Sequence, residues 1–468
     1  MSTLRRNFIA ILTLLAMLFA DHIVYSQSQA ATNGKTYQQI AEQITKAALR
    51  DGQAYQMLAE LTAVGPRLSG SSQAAAAVEL TRHMMQRLEF ANVRLQLVMV
   101  PHWVRGPIEE AMILNSPAMG NVPLSICALG GSIATSEMGI VAEVLEVKSF
   151  EELRALGKKA SGKIIFFNRP FDPALFNTFA GYGGAVNQRG SGAIEAAKAG
   201  GVAALVRSMT PSLDDFPHTG GMRYDANVPK VPAAAISTLD AELLSKVIAQ
   251  DKNVTVRLRL TCQTLPDAPS ANVMGEIIGA EKPEEIIVIG GHLDSWDKGT
   301  GAHDDGAGCV QSIEAVRLLK ALDLKPKRTI RAVMFMNEEN GLRGGIEYAR
   351  AAKENNEKHV AALESDSGGF APRGFSVEGD SLSWQKIAAW RSIFESLGAE
   401  RITRGGSGAD ISVLVRDGVL GLGFVPEGHR YFDYHHSDND TLDKVNPREL
   451  ELGAAAMAIM AYLISEEW

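Results

Sequence analysis

Ile286-Ile287-Val288-Ile289-Gly290-Gly291-His292-Leu293-Asp294 passes from an unbroken apolar run, through two glycines, to a polar end. An apolar run this short, with no alternation, is expected to form a strand buried on both faces. Burial on both faces requires a layer of structure on each side. The segments that follow supply such layers. Ala307–Leu322 reads as an amphipathic helix and Thr329–Met336 as a second apolar strand. Ala361–Glu364 and Leu420–Val425 are further strands, and Arg448–Ile464 a closing helix. Strands alternating with helices predict an α/β chain with a layered α/β/α core.

Toward the N-terminus the texture changes. Thr36 to about Gln96 is helical in pattern, interrupted at Gly65-Pro66-Arg67-Leu68-Ser69-Gly70-Ser71. Between about Cys127 and Thr261, short strands are expected at Ile140–Val147, Lys163–Phe167, Val202–Val206 and Val254–Leu260, with helices near Ala193–Ala199 and Thr238–Ile248. This region reads as a separate strand-rich module at 126–262, set into a discontinuous domain formed by 31–125 and 263–468.

The chain of 468 residues carries a formal net charge of -8, and no Lys/Arg-rich run could track phosphates. Nucleic acid is therefore excluded as a partner. Arg5 and Arg6 precede the apolar run Phe8–Ala20, and Ser28-Gln29-Ala30-Ala31 ends the polar stretch after it. This is the layout of a cleavable export signal over residues 1–30, which places the mature chain in a periplasm or outside the cell. The apolar run is too short to span a membrane comfortably, so no membrane association is expected once the signal is removed. Three cysteines, Cys127, Cys262 and Cys309, exclude a disulfide-dense scaffold. One Cys127–Cys262 bridge or three buried thiols are both open.

The polar residues able to bind metal fall where the strands end. One strand runs into His292 and Asp294, another into Glu338-Glu339, and a third into Ser365-Asp366. Asp304-Asp305 lies in the glycine-rich loop after His292, and His435-His436 comes late in the chain. The crevice beyond the carboxyl ends of strands is the usual ligand site of open α/β sheets. Each piece alone has an ordinary reading, as a strand-end histidine, a solvated acidic pair or a turn. Together they form a mixed nitrogen and oxygen donor set suited to zinc.

With those residues in view, the chain resembles the co-catalytic zinc aminopeptidase family that includes glutamate carboxypeptidase II. The likeness is carried by His292-Leu293-Asp294, Asp304-Asp305-Gly306, Glu338-Glu339, Asp366 and His436-Ser437-x-x-Asp440. It extends over nearly the whole mature chain through Val64–Gly70, Pro101-His102-Trp103, Pro217-His218-Thr219-Gly220 and Gly291–Asp297. The resemblance implies a three-layer α/β/α exopeptidase core with a mixed sheet, interrupted by a protease-associated domain. It also implies two zinc ions per chain, one on Asp304, Glu339 and His436 and the other on Asp304, His292 and Asp366. His435 is the rival for the last ligand of the first ion. Glu338 becomes the general base, Asp294 a carboxylate that orients His292, and the peptide bond after Asp304 is cis. Short peptides with free termini and a homodimer are implied too. Tyr434, Ser407 and Arg404 are loop candidates for substrate contact, and Asp410 a structural acceptor.

The chemistry is coherent on physical grounds. Paired cations lower the pKa of a shared water from about 15.7 toward roughly 7. That eases hydroxide formation by on the order of 12 kcal/mol. A neighbouring carboxylate that binds no metal can then shuttle the proton. The rival expectations are a broad aminopeptidase, a glutaminyl cyclase with one zinc, or a metal-free binding protein on the same fold.

Overall fold

The computed structural model describes residues 31–32, 35–117 and 119–468. The export signal expected at 1–30 lies outside the described residues. None of the described helices is long and apolar enough to cross a membrane.

The strand predicted at 286–289 extends over Lys282–His292, so that His292 is its last residue. It sits in an eight-stranded mixed sheet between two parallel neighbours, Arg328–Phe335 and Lys358–Glu364. Leu420–Pro426 continues the parallel run beyond Lys358–Glu364. On the other side Gln263–Ile277 pairs antiparallel with Arg328–Phe335, and Ala91–Val104 closes that edge. Burial explains the unbroken apolar run. Ile287 and Ile289 face a core made with the helices Tyr37–Asp51, Ala307–Ala321 and Pro447–Glu467. Ile286 and Val288 face the opposite core, packed with Tyr348, Ala349, Ile411 and Leu414. Two cores on the two faces of one sheet make the three layers.

A second eight-stranded mixed sheet carries the module. Its centre is a parallel run of Ile140–Val147, Ile164–Phe167, Ala203–Arg207 and Ala233–Ile236. Ile164 and Phe166 point into one core, and Ile165 and Phe167 into another. Two sequence expectations change here. The helical pattern does not continue to Gln96, because Ala91–Val104 is a 14-residue strand. There Val98 and Val100 are buried while Leu97 and Met99 are exposed, an alternation of period two that the preceding helix obscures. The module also begins before residue 126. Glu109–Ser116 and Gly120–Leu124 belong to the second sheet, since Glu109–Ser116 pairs along its length with Thr255–Leu260. The two crossings between the sheets run side by side, with Ile108 N donating to Thr261 Oγ1 at 3.0 Å. All three cysteines are free and buried.

Candidate metal centre and substrate cleft

Strand geometry brings the donors together. His292 ends one strand, while Glu338 and Glu339 follow its neighbour Arg328–Phe335, and Asp366 follows Lys358–Glu364 on the other side. Parallel strands in register deliver their C-terminal ends to one rim of the sheet. Gly291 is needed at that rim, because a side chain there would collide with the Asp305 carboxylate and the backbone of Gly308. Asp305 in turn accepts from the backbone N–H of His292 at 2.9 Å and of Gly308 at 3.0 Å. The Asp304–Asp305 peptide bond is cis. Asp440 fixes the same loop, accepting from His303 N at 2.7 Å and Asp304 N at 3.1 Å. The fully buried guanidinium of Arg67 donates to the carbonyls of Leu293, Thr300 and Gly301, tying the loops to one another.

Asp304 stands at the middle. Its Oδ1 lies 3.2 Å from His292 Nε2, which is 3.4 Å from Asp366 Oδ1. Its Oδ2 lies 3.2 Å from His436 Nε2, which is 3.0 Å from Glu339 Oε2. His435 Nε2 is also close to Asp304 Oδ2, at 3.6 Å, and its ring stacks on that of His436. The structure thus brings His292, Asp304, Glu339, Asp366 and His436 together, and places His435 beside them.

Electrostatics match this crowding. Burial pulls the His436 pKa down, but the Glu339 carboxylate and contacts with Asp304 and Glu339 outweigh it and lift it to about 10. His292 is likewise held well above its ordinary value, against burial, by Asp366 and Asp304. Burial would raise Asp304, yet the two imidazoles hold it well below the usual carboxylate range. The fit to cations is direct. Asp304 Oδ2 and Asp366 Oδ1 are buried and accept no hydrogen bond among the described residues, a costly state that a bound cation relieves.

Glu338 lines the same cleft. Burial, with Asp366, Glu339 and Asp294 nearby, raises its pKa well above the usual carboxylate value despite the opposing charge of His292. No hydrogen bond or ion pair to its carboxylate is found among the described residues. Asp294 approaches His292 by two routes. The backbone carbonyl of Asp294 meets His292 Nδ1 at 2.9 Å, with its carboxylate Oδ1 farther off at 3.9 Å. The carboxylate accepts instead from Asn337 N at 2.6 Å, Glu338 N at 3.1 Å and Ser69 Oγ at 2.9 Å. It positions the turn that carries Glu338.

The cleft has a volume of about 380 Å³, and part of its wall comes from the module. Phe179, Tyr182 and Arg189 face Tyr431, Phe432 and His435 across the carboxylates. Arg189 is buried, donates through Nη2 to Tyr182 Oη, and keeps an Nε with no partner among the described residues. None of Tyr434, Ser407 and Arg404 lines this cleft. Tyr434 stacks on His303, Ser407 Oγ donates to Glu378, and Arg404 lies over Trp384. Asp410 is buried with both oxygens unpartnered among the described residues, so it does not serve as the acceptor expected of it. Nothing along the chain pointed to Arg189. It sits in the helix Asn187–Lys198, whose composition is that of an ordinary surface helix.

The model of peptidase family M28 matches residues 272–461. Bovine (Bos taurus) carboxypeptidase Q is 38% identical, the match covering 88% of this chain and 85% of that protein. The crystal structure of a peptidase M28 precursor from Shewanella amazonensis superposes with a TM-score of 0.87 at 38% identity, covering 92% of this chain and 96% of that one. A zinc aminopeptidase from Bacillus subtilis shares the fold with a TM-score of 0.65 at 20% identity, covering 89% and 95% of the two chains.

Proposed function

The chain belongs to the M28 peptidase family and is a metallopeptidase; from that premise we propose that it is a di-zinc exopeptidase of the carboxypeptidase Q kind, cleaving dipeptides and other short peptides with Glu338 as general base. One observation carries the reading. A single buried carboxylate, Asp304, lies within 3.2 Å of an imidazole on each side, and each imidazole touches a further carboxylate.

Asp304, His292 and Asp366 would hold one zinc, and Asp304, Glu339 and His436 the other. His436 is preferred to His435 because its Nε2 meets both Asp304 and Glu339. Nitrogen and oxygen donors of this kind suit zinc. The chemistry such ions supply is Lewis acidity, which makes hydroxide available near neutral pH and polarises a carbonyl. Glu338, bound to nothing else, takes a proton from the attacking water and delivers it to the leaving amine. Asp294 keeps the Glu338 turn in place through two backbone N–H groups. Arg189 offers a buried guanidinium with a spare N–H to the carboxylate of a free C-terminus. Phe179, Tyr182 and Phe432 shield the reacting bond from bulk water. A cleft of about 380 Å³ is at the small end of ligand sites and favours short peptides.

Residues 105–262 are assigned to the inserted module, of the protease-associated kind, whose role is to roof the cleft. The reading includes export by a leader at 1–30 and a homodimer. Broad aminopeptidase activity is the alternative. Two donor groups share Asp304, one with His292 and Asp366 and the other with His435 and His436, which speaks against a one-zinc glutaminyl cyclase. A dipeptide panel, assayed with chelator and then with zinc restored, tests the proposal. Hydrolysis lost on chelation and regained with zinc is expected. Activity indifferent to chelation, or confined to long N-terminally free peptides, overturns it.

A further inference from the structure

The module does more at the metal centre than roof it. Its segment His218–Thr219 reaches the chain that carries the last ligand and makes three contacts with two consecutive residues there. His218 Nδ1 lies 2.6 Å from the carbonyl oxygen of His435, and Thr219 N donates to the carbonyl of His436 at 2.9 Å. The carbonyl of Thr219 lies 3.3 Å from His436 Nδ1, on the ring edge opposite the Nε2 that faces Asp304 and Glu339.

These contacts answer a local problem. His436 has φ of +63°, a left-handed backbone that is uncommon outside glycine. It stands in a turn after the short helix Tyr431–Tyr434, closed by Ser437 N donating to Tyr434 O at 3.1 Å, and the module's contacts brace that turn from outside. The segment from the module is itself firmly anchored. His218 N donates to Ser208 Oγ at 2.8 Å, and Ser208 Oγ donates to Ile236 O at 2.7 Å, inside the second sheet. Thr219 Oγ1 donates to Ala128 O at 2.9 Å and accepts from Arg105 Nη2 at 3.2 Å. His218 is 1% exposed, and its Nδ1 faces a carbonyl oxygen, which can only accept. With its Nε2 left without a partner among the described residues, the proton sits on Nδ1 and is donated to His435.

We propose that His218 and Thr219 are positioning residues of the metal centre: they fix the backbone of His435–His436 and, through the Thr219 carbonyl, the His436 tautomer that presents Nε2 to one of the two zinc ions. The carbonyl accepts the Nδ1–H, so only Nε2 keeps a lone pair for metal. Arg189 Nη1 lies 3.5 Å from both that carbonyl and His436 Nδ1; with the proton on Nδ1 it donates to the carbonyl alone. The inserted module thereby contributes to metal affinity without supplying a ligand. This inference rests on the di-zinc reading above.

The test compares His218→Leu, which removes the donor at similar bulk, with His218→Asn, whose amide can donate from the place of Nδ1. Chelator-stripped enzyme is titrated with zinc calorimetrically. Wild type should show two sites. In His218→Leu one site should weaken about 10–100-fold, as for lost supporting partners of metal-bound histidines, while the other stays within about threefold. His218→Asn should restore the weakened site, and excess zinc should return kcat in His218→Leu. Two unchanged sites in His218→Leu, or equal weakening in both variants, overturn the inference. Should His218→Leu not fold, ¹⁵N-histidine spectra of the wild-type holoenzyme decide: a protonated His436 Nδ1 supports it and an unprotonated one refutes it. A wild type that binds no zinc brings down the di-zinc reading itself, whereas two zinc ions with an indifferent His218→Leu remove only this inference.

Discussion

Replacing Glu338 by glutamine separates proton transfer from metal binding at one position. The side chain keeps its shape and loses only its basicity. Its carboxylate forms no hydrogen bond or ion pair among the described residues, and its backbone N–H stays on Asp294, 3.1 Å away. The exchange therefore breaks no contact that holds the metal donors. General-base help is worth about 10²–10⁴-fold, which corresponds to roughly 3–5 kcal/mol of the barrier. The expected result is kcat on a dipeptide reduced by about that factor, with zinc per chain unchanged by elemental analysis. The neighbouring Glu339→Gln gives the contrast. Glu339 Oε2 lies 3.0 Å from His436 Nε2, so that variant should lose retention of one zinc, with activity partly recovered in excess zinc. Glu338→Gln with near wild-type kcat, or with zinc lost, would refute the assignment. So would two variants that behave alike.

Three further outcomes are expected. Asp304→Ala should lose at least one zinc, because this residue contacts both imidazoles; a full complement by elemental analysis would show that another residue bridges the donor groups. Arg189→Met should reduce kcat/KM for dipeptides with a free carboxylate by about 10–150-fold, the equivalent of roughly 1.5–3 kcal/mol for a charged hydrogen bond. C-terminally amidated peptides should be little affected, and an equal loss on both would mean that Arg189 does not read the terminus. Away from the site, burial, together with Glu314, lifts the Glu451 pKa to about 7 from 4.5. A raised carboxylate keeps its proton longer in the folded state, so its stabilising effect is complete below about pH 4.5 and is lost as pH rises through 7. Glu451→Gln should melt higher than wild type at pH 8 and nearly equal to it at pH 4.5. The difference of the two values bounds the gain at about 3 kcal/mol; a Tm difference independent of pH would contradict the assignment.

Sequence alone carried the catalytic sheet and the donors at its rim, for a local reason. A strand buried on both faces needs an unbroken apolar run, and a ligand at its C-terminal end must follow that run directly. His292, Glu338, Glu339 and Asp366 all stand at or within a few residues of such strand ends, so short local stretches encode both the strands and the donor cluster at their rim. The likeness of motifs extended this to Asp304 and His436. Elsewhere locality failed. The alternating strand Ala91–Val104 was hidden by the helix before it, and the module took in strands from before residue 126, because pairing with Thr255–Leu260 is a contact between distant segments. Arg189, Tyr182 and Phe179 look like any helix residues until the module is packed over the cleft. Tyr434, Ser407 and Arg404 looked suited to substrate, yet each spends its polar or aromatic group on a neighbour outside the cleft. Whether Asp294 supports His292 through its carboxylate or its backbone depends on an angle of the folded chain. Donor types and strand ends are written along the chain; the walls of the cleft and the supports behind each ligand arise only where separate segments meet, and composition does not record such meetings.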